Sequence, residues 1–256
     1  MRKVYILLPC YNEAENIPRL IESIHQSLSG AYDYTIVAVD DGSNDRTATV
    51  LEEFSKRYPV KVLKHEKNMG LSEALRTLIK YCVQECNPSD VAVVMDCDAT
   101  HDPRVIPIMM NKVNMGCDVA VASRYVDGAV ATGVPLTRRL LSRGLSVLAR
   151  LTLGLPVRDV SSGYRAYRVM ALRRAVEEYG VEGLIEARGF EAQFELLFKL
   201  YIVGAHICEA PIKLHYEAKK GSTKLKLLST IKRYLILLHR LRMIRRYYRA
   251  SGKRSG

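Results

Sequence analysis

The sequence predicts an α/β fold built on a doubly wound, mostly parallel sheet, and three observations carry that prediction. Short apolar runs rich in β-branched residues, such as VAVV at residues 91–94, recur along the first half of the chain, as in strands buried on both faces. Between them lie segments whose apolar residues repeat at i, i+3, i+4 and i+7, so helices alternate with strands and form right-handed crossovers. Two of the runs end in acid, as VDDGS and MDCD, at the carboxyl end of a strand, where open α/β sheets bind ligands.

Taken in order, residues 3–8 read as a first strand that stops at Pro9. PCYNEAEN follows, with Asn12 or Asn16 able to cap a helix that carries Ile17, Leu20, Ile21, Ile24 and Leu28 on one face. Tyr11, Asn12 and Glu13 put an aromatic face and hydrogen-bonding groups at the mouth of this loop. Residues 34–39 form a second strand, ended by DDGSND. Gly42 there allows a tight turn, and Asp45 is a ready cap for a helix holding Val50, Leu51 and Phe54. An Asp after the second strand can accept from ribose hydroxyls or base edges, the alternative being a plain turn.

Residues 60–63 read as a third strand, before a helix with Ala74, Leu75, Leu78, Ile79, Cys82 and Val83 on one face. After the fourth strand, Asp96 and Asp98 emerge on the same side, because successive side chains of an extended chain alternate. Such a pair suits a hard divalent cation that bridges carboxylates to a diphosphate. Asp-x-Asp arises often by chance, and its place at a buried strand end is what gives it weight. Residues 117–122 form a further strand ending in SRY. Neither Gly-x-Gly-x-x-Gly nor a Walker A motif occurs, so a dinucleotide fingerprint and a P-loop are both excluded.

A chain of 256 residues is long enough for one large α/β domain. Its apolar runs fall short of the roughly 18 residues a membrane-spanning helix needs. MRKVYILLPCYNE leads into a strand without a signal-peptide cleavage site, so a cytosolic protein is expected. The six cysteines, at 10, 82, 86, 97, 117 and 208, show no C-x-x-C spacing and no histidine partners, and read as buried free thiols.

Residues 219–256 hold 13 Lys and Arg and no acid, which leaves the first 218 residues with 26 basic and 27 acidic side chains. A near-neutral body with a basic end argues against nucleic acid and for an anionic surface met by that end. The segment LKLLSTIKRYLILLHRLRMIRRYYR interleaves Leu228, Ile231, Leu235, Leu238, Leu241 and Met243 with Lys232, Arg233, Arg240, Arg242, Arg245 and Arg246. It is too charged to span a bilayer and suits an interfacial helix on anionic lipid; a helix docked on the domain or on a partner subunit is the alternative.

Read together, PCYNE, VDDGSND, DCDATHDP and SRY resemble the signatures of inverting family-2 glycosyltransferases of the GT-A fold. TRRLLSRGLSVLARLTLG, RDVSSGYRAYR, GFEAQFELLFKL, EAPIKLHY and KKGSTKL are similar, in order and spacing, to segments of the dolichyl-phosphate mannose synthases. The resemblance covers residues 3 to about 228. It implies a GT-A catalytic domain over 1–228, followed by the basic amphipathic helix and tail over 229–256.

The implied reaction is transfer of mannose from GDP-mannose to dolichyl or polyprenyl phosphate at the cytosolic membrane face. A UDP-sugar transferase of the glucose type and an inactive nucleotide-sugar-binding protein are the alternatives. The resemblance puts Pro9, Tyr11, Glu13, Asp40 and Asp41 around the nucleoside and Asp96, Cys97 and Asp98 on the donor, with backbone near Cys97 and Ala99 approaching the sugar. Asp96 and Asp98 are the implied ligands of Mg2+ or Mn2+. Arg124, Arg138, Ser142 and Lys224 fall where the family binds acceptor phosphate, and Asp98, Arg124 and Glu195 are the implied catalytic groups. Two departures are an Ala218 where an Arg usually stands and Thr100 where Gln or Ser is common. A phosphate acceptor is already an anion and needs no strong base, whereas an alcohol would need a carboxylate, for which Glu195 or Asp102 are the candidates.

Overall fold

The computed structural model describes residues 2–98, 100–215 and 227–252, except for the side chains of 138, 215 and 227–229. Ala99, Ala218 and Lys224, named above, lie outside the described residues, as does the side chain of Arg138. The first half of the chain alternates as expected: β1 (Val4–Cys10), α1 (Ile17–Leu28), β2 (Tyr34–Asp40), α2 (Thr47–Ser55), β3 (Val60–Lys64), α3 (Leu71–Glu85), β4 (Val91–Val94), α4 (Ile106–Asn114) and β5 (Val119–Ser123). A short 3-10 turn, Pro103–Val105, precedes α4.

The second half continues with β6 (Val130–Thr132), α5 (Leu136–Leu153), β7 (Arg165–Arg168), α6 (Val169–Leu184), α7 (Glu191–Ile202), β8 (Ile207–Pro211), β9 (Lys213–His215) and α8 (Leu227–Ala250). Among the described residues the main sheet has seven strands in the order β3-β2-β1-β4-β7-β5-β8, and β6 pairs with β9 in a second, small sheet. All neighbours in the main sheet run parallel except β7, which lies antiparallel between β4 and β5.

Alternation along β1 divides the core between the two faces. Tyr5 and Leu7 point to the layer of α3, α6, α7 and α8, while Val4, Ile6, Leu8 and Cys10 point to that of α1 and α4. Strand β7, RAYR, lacks the apolar run that marks the other strands. Its Arg165 is nonetheless fully buried, because the guanidinium donates to the carbonyls of Val160 (2.8 Å) and Gln193. Asp45 caps the entry to α2 by accepting from the Thr47 amide at 2.9 Å. Asn16 precedes α1 without a side-chain cap bond and donates instead to Glu13 at 2.7 Å.

One sequence expectation needs correction. Cys117 and Cys208 form a disulfide, with His206 two residues before Cys208; among the described residues Cys10, Cys82, Cys86 and Cys97 are free and buried. Residues 91 positions apart give no local spacing signal, which is why the pair was not legible. Helix α8, which carries the basic end, packs against the body of the chain. Leu237, Leu238, Leu241 and Tyr248 of α8 are buried in the same core as α3, α6 and α7. Arg245 of α8 donates to Thr152 O at 2.9 Å at the end of α5, and the Tyr248 hydroxyl meets Glu178 of α6 at 2.6 Å.

Candidate active site

The carboxyl ends of β1, β2 and β4 open into a cleft of about 990 Å³. The loop after β1 is laced to the loop after β2. Asn12 sits at φ 54°, a left-handed conformation that Asn tolerates. There its amide donates to Ser43 Oγ (3.0 Å) and its Oδ1 accepts from the Asn44 amide (2.9 Å). The Glu13 amide donates to Thr47 Oγ1 (2.8 Å) and the Ala14 amide to Asp45 Oδ2 (3.2 Å). Four bonds thus fix the wall that carries Pro9, Tyr11 and Glu13.

Asp41 is buried and ties in a third loop. It accepts from the amides of Met69 (2.9 Å) and Gly70 (2.8 Å) and from His65 Nδ1 (2.7 Å), whose Nε2 lies 2.9 Å from Thr77 Oγ1. Gly42, at φ 63°, is required at this join, since a Cβ there would lie 2.2 Å from the Lys67 carbonyl carbon. Asp41 lines the cleft while Asp40 does not; Asp40 is buried behind the turn, with Oδ1 accepting from the Ser43 amide at 3.2 Å.

Asp96, Cys97 and Asp98 line the same cleft. Asp98 accepts from Thr100 Oγ1 (2.6 Å) and the Thr100 amide (3.2 Å), and the Asp96 amide donates to His101 Nδ1 (3.0 Å). His101, not singled out in the sequence, is buried and stacked on Tyr164 with centroids 4.7 Å apart, so it holds the backbone where the chain enters Asp96. Two half-exposed carboxylates two residues apart on the wall of a polar cleft are a donor set that fits Mg2+ or Mn2+, which prefer hard oxygen ligands and keep several waters.

At the other side of the cleft Arg124 meets Asp159. The carboxylate of Asp159, with no exposed surface, accepts from Arg124 Nε and Nη2 (both 2.7 Å), the Arg124 amide (3.0 Å) and Ser161 Oγ (3.1 Å). Ser142 and Ser161 accept from the same Nη2 at 2.8 and 2.6 Å, and Tyr125 OH donates to Ser142 at 2.9 Å. Asp159 and Ser161 were not assigned from the sequence, although the segment RDVSSGYR that holds them stood out.

Burial by itself would raise the Asp159 carboxyl; the bonds and charge of Arg124 overcome that and hold it below the ordinary value. A depressed carboxyl contributes stability that is present above its unfolded pKa of about 3.9 and is lost as pH falls through the folded value. Asp159→Asn should cost about 3–5 kcal/mol by leaving Arg124 short of a buried partner, a fall in melting temperature of roughly 10 °C. Calorimetry at pH 7 and below pH 4 checks this: the gap between wild type and variant should narrow in acid, and an equal gap at both pH values would refute the assignment.

Glu195 stands outside the cleft. It has no exposed surface, and its oxygens accept from the amides of Glu186 (2.9 Å) and Ala187 (2.7 Å), from Lys199 Nζ (2.7 Å) and from Arg240 of α8. That environment makes it the anchor of the loop before α7. Asp102 is likewise occupied: it caps the 3-10 turn, accepting from the amide and side chain of Arg104, and does not line the cleft. Neither of the two expected candidates for a general base therefore faces the cleft.

Beyond Arg124 the cleft turns apolar. Leu140, Leu141, Leu145 and Leu148 of α5 face Ile231, Tyr234, Leu235 and Leu238 of α8, with Phe190 between α6 and α7. Sequence patterning marked α8 as amphipathic but gave no reason to join it to α5 as one wall.

A polar cleft at parallel strand ends, with paired acids on one wall and a mostly parallel sheet behind it, is the architecture of the GT-A nucleotide-sugar transferases. Glucosyl-3-phosphoglycerate synthase from Mycobacterium tuberculosis, solved with Mn2+, UDP and phosphoglyceric acid, has this fold, with a TM-score of 0.64 at 19% identity over 94% of this chain and 78% of that one. Residues 5–175 match the family described as glycosyl transferase family 2, and the chain belongs to that family. It is 38% identical to the dolichol-phosphate mannosyltransferase of Pyrococcus furiosus over 239 residues, 93% of this chain, and spans 63% of that relative's length. It is 29% identical to the polyprenol monophosphomannose synthase of Mycolicibacterium smegmatis, over 82% of this chain and 77% of the relative.

Proposed function

We propose that this protein transfers mannose from GDP-mannose to a polyprenyl phosphate of the dolichyl type. The observation that carries the reading is the change of character along one cleft, from acids and hydrogen-bonding loops, through the Arg124 cluster, to the leucine wall of α5 and α8. An amphiphile with a phosphate head fits that gradient. The named activities of the two mannosyl-transferring relatives supply the sugar.

In this reading Pro9, Tyr11, Glu13 and Asp41 hold the nucleoside, and Asp40 shapes the turn beneath it. Asp96 and Asp98 would hold Mg2+ or Mn2+, which when bound neutralises charge on the departing diphosphate. Arg124 and Ser142, with Arg138 and Lys224, orient the acceptor phosphate, whose oxygen is already anionic and attacks without a strong base. The commitment of Glu195 and Asp102 elsewhere agrees with that chemistry.

The enzyme works, on this view, as a peripheral protein at the cytosolic face of an anionic membrane. No helix among the described residues is long and apolar enough to cross one. Leu136 (67%) and Leu151 (78%) of α5 and Ile236 (60%) and Tyr247 (66%) of α8 are exposed in the company of exposed Arg139, Arg143, Arg242 and Arg246. Leu136→Ser combined with Leu151→Ser removes two side chains worth about 1.5 kcal/mol each when buried in lipid. Vesicle co-sedimentation should then fall on the order of tenfold or more while GDP binding is unchanged; sedimentation equal to wild type would count against this face.

The direct test is incubation of the protein with labelled GDP-mannose, Mn2+ and a polyprenyl phosphate. Label should appear in the organic phase and be released by mild acid. Label transferred from UDP-glucose instead would favour the glucose-type alternative, and no transfer from any donor despite tight nucleotide binding would favour a binding protein.

A further inference from the structure

The amino-terminal ends of β5 and β8 lie at the far end of the sheet from the cleft. There Cys117, two residues before β5, is joined to Cys208, the second residue of β8. His206 and Cys208 are two residues apart at the start of an extended edge strand and so share a face. Nε2 of His206 lies 4.0 Å from Cys208 Sγ, and the ligand atoms of Cys117, His206 and Cys208 all lie within 4.8 Å of one another. Cys117 is buried, Cys208 partly so and His206 exposed, which gives the cluster a closed floor and an open mouth.

The three residues are held together by more than the disulfide. The His206 carbonyl accepts from the amides of Asp118 (2.8 Å) and Val119 (3.1 Å), and the His206 amide donates to Asp118 Oδ2 (3.1 Å). Nδ1 of His206 is 3.4 Å from the Gly116 carbonyl, an arrangement that leaves the lone pair on Nε2, toward the sulfurs. Breaking the S–S bond therefore leaves two thiols and an imidazole gathered at one place. Inside a cell, where small thiols keep cysteines reduced, a dithiol of this kind belongs to metal chemistry more often than to a structural cross-link.

We propose that Cys117, Cys208 and His206, when reduced, form a thiolate–imidazole site for a soft divalent cation of the Zn2+ class, and that the disulfide is its closed, metal-free state. Thiolate and imidazole are the ligands Zn2+ favours, and the open mouth leaves a fourth position for water. Binding releases the two thiol protons. Closure needs a two-electron oxidant, for which a small-molecule disulfide suffices. One cysteine thiolate attacks it and expels a thiolate, and the second cysteine attacks the mixed disulfide and expels the other. The protein gains its S–S bond, the oxidant is reduced to two thiols, and the cation leaves.

Co2+ is the probe of choice, because thiolate ligation gives a charge-transfer absorption that a carboxylate site such as Asp96 and Asp98 does not. The full-length protein reduced with a phosphine and freed of reductant should bind one Co2+ with that absorption, and Zn2+ should displace it. The oxidised protein and Cys117→Ser/Cys208→Ser should lack it, and His206→Ala should weaken binding at least tenfold without lowering the melting temperature of the reduced, metal-free protein. Absence of the band in reduced wild type, its persistence in the double serine variant, or an unchanged affinity in His206→Ala would each overturn the proposal. So would loss of cooperative melting on reduction, since the site would then have no folded form to occupy.

Discussion

Asp98→Asn will reduce transfer by about a hundredfold to a thousandfold, the loss seen when a group that stabilises charge developing in the transition state is removed. The asparagine is the sharper substitution. Asp98 accepts from the hydroxyl and amide of Thr100, and an amide oxygen can keep both bonds, whereas alanine would also release the loop. The variant should melt within about 2 °C of wild type, because one surface-facing charge rarely changes stability by more than about 0.5 kcal/mol. Titration with GDP should show the discriminating result: Mn2+ increases GDP affinity in wild type and leaves it unchanged in Asp98→Asn. A variant with ordinary turnover, or one whose GDP affinity still rises with Mn2+, would remove the metal from Asp98.

The parts of this protein that could be read from its sequence are those where local pattern and final environment agree. Strands β1, β2, β4 and β5 are buried on both faces and read as apolar runs, so the cleft-bearing half of the sheet was legible together with the acids at its ends. Strand β7 was not. Its arginines belong to a surface pattern, and only the carbonyls of Val160, in the turn before the strand, and of Gln193 in α7 make a buried Arg165 tolerable. Arg124 was found through its motif, but its partner Asp159 lies 35 residues on, and no spacing rule joins them. Glu195 shows the converse: a carboxylate in a recognised motif whose neighbours, Lys199 and the Glu186 and Ala187 amides, give it a structural task.

Deletion of residues 229–256 will abolish cooperative folding. The deletion takes Leu237, Leu238, Leu241 and Tyr248 out of the core they share with α3, α6 and α7. Removing a large buried side chain costs about 2–5 kcal/mol, so four of them exceed much or all of the roughly 5–15 kcal/mol by which domains are stable. It also strips Arg240 from Glu195 and Arg233 from Glu191, leaving two buried acids in the first half of α7 short of a partner. The helix has a second, outward face, and that face is where membrane affinity can be tested without disturbing the core. Lys232, Arg242, Arg246 and Arg249 are exposed, and replacing all four with glutamine should leave the melting temperature close to wild type. Each is worth about 1 kcal/mol near an anionic bilayer before screening. If a third of that survives at physiological salt, partitioning onto phosphatidylserine vesicles falls about tenfold, and the difference from wild type should fade as salt rises. Circular-dichroism melts of the truncated chain and vesicle binding of the quadruple variant separate the two roles. A truncated protein that melts like wild type would place the basic helix outside the core, and a quadruple variant that binds vesicles as before would take the membrane off this face.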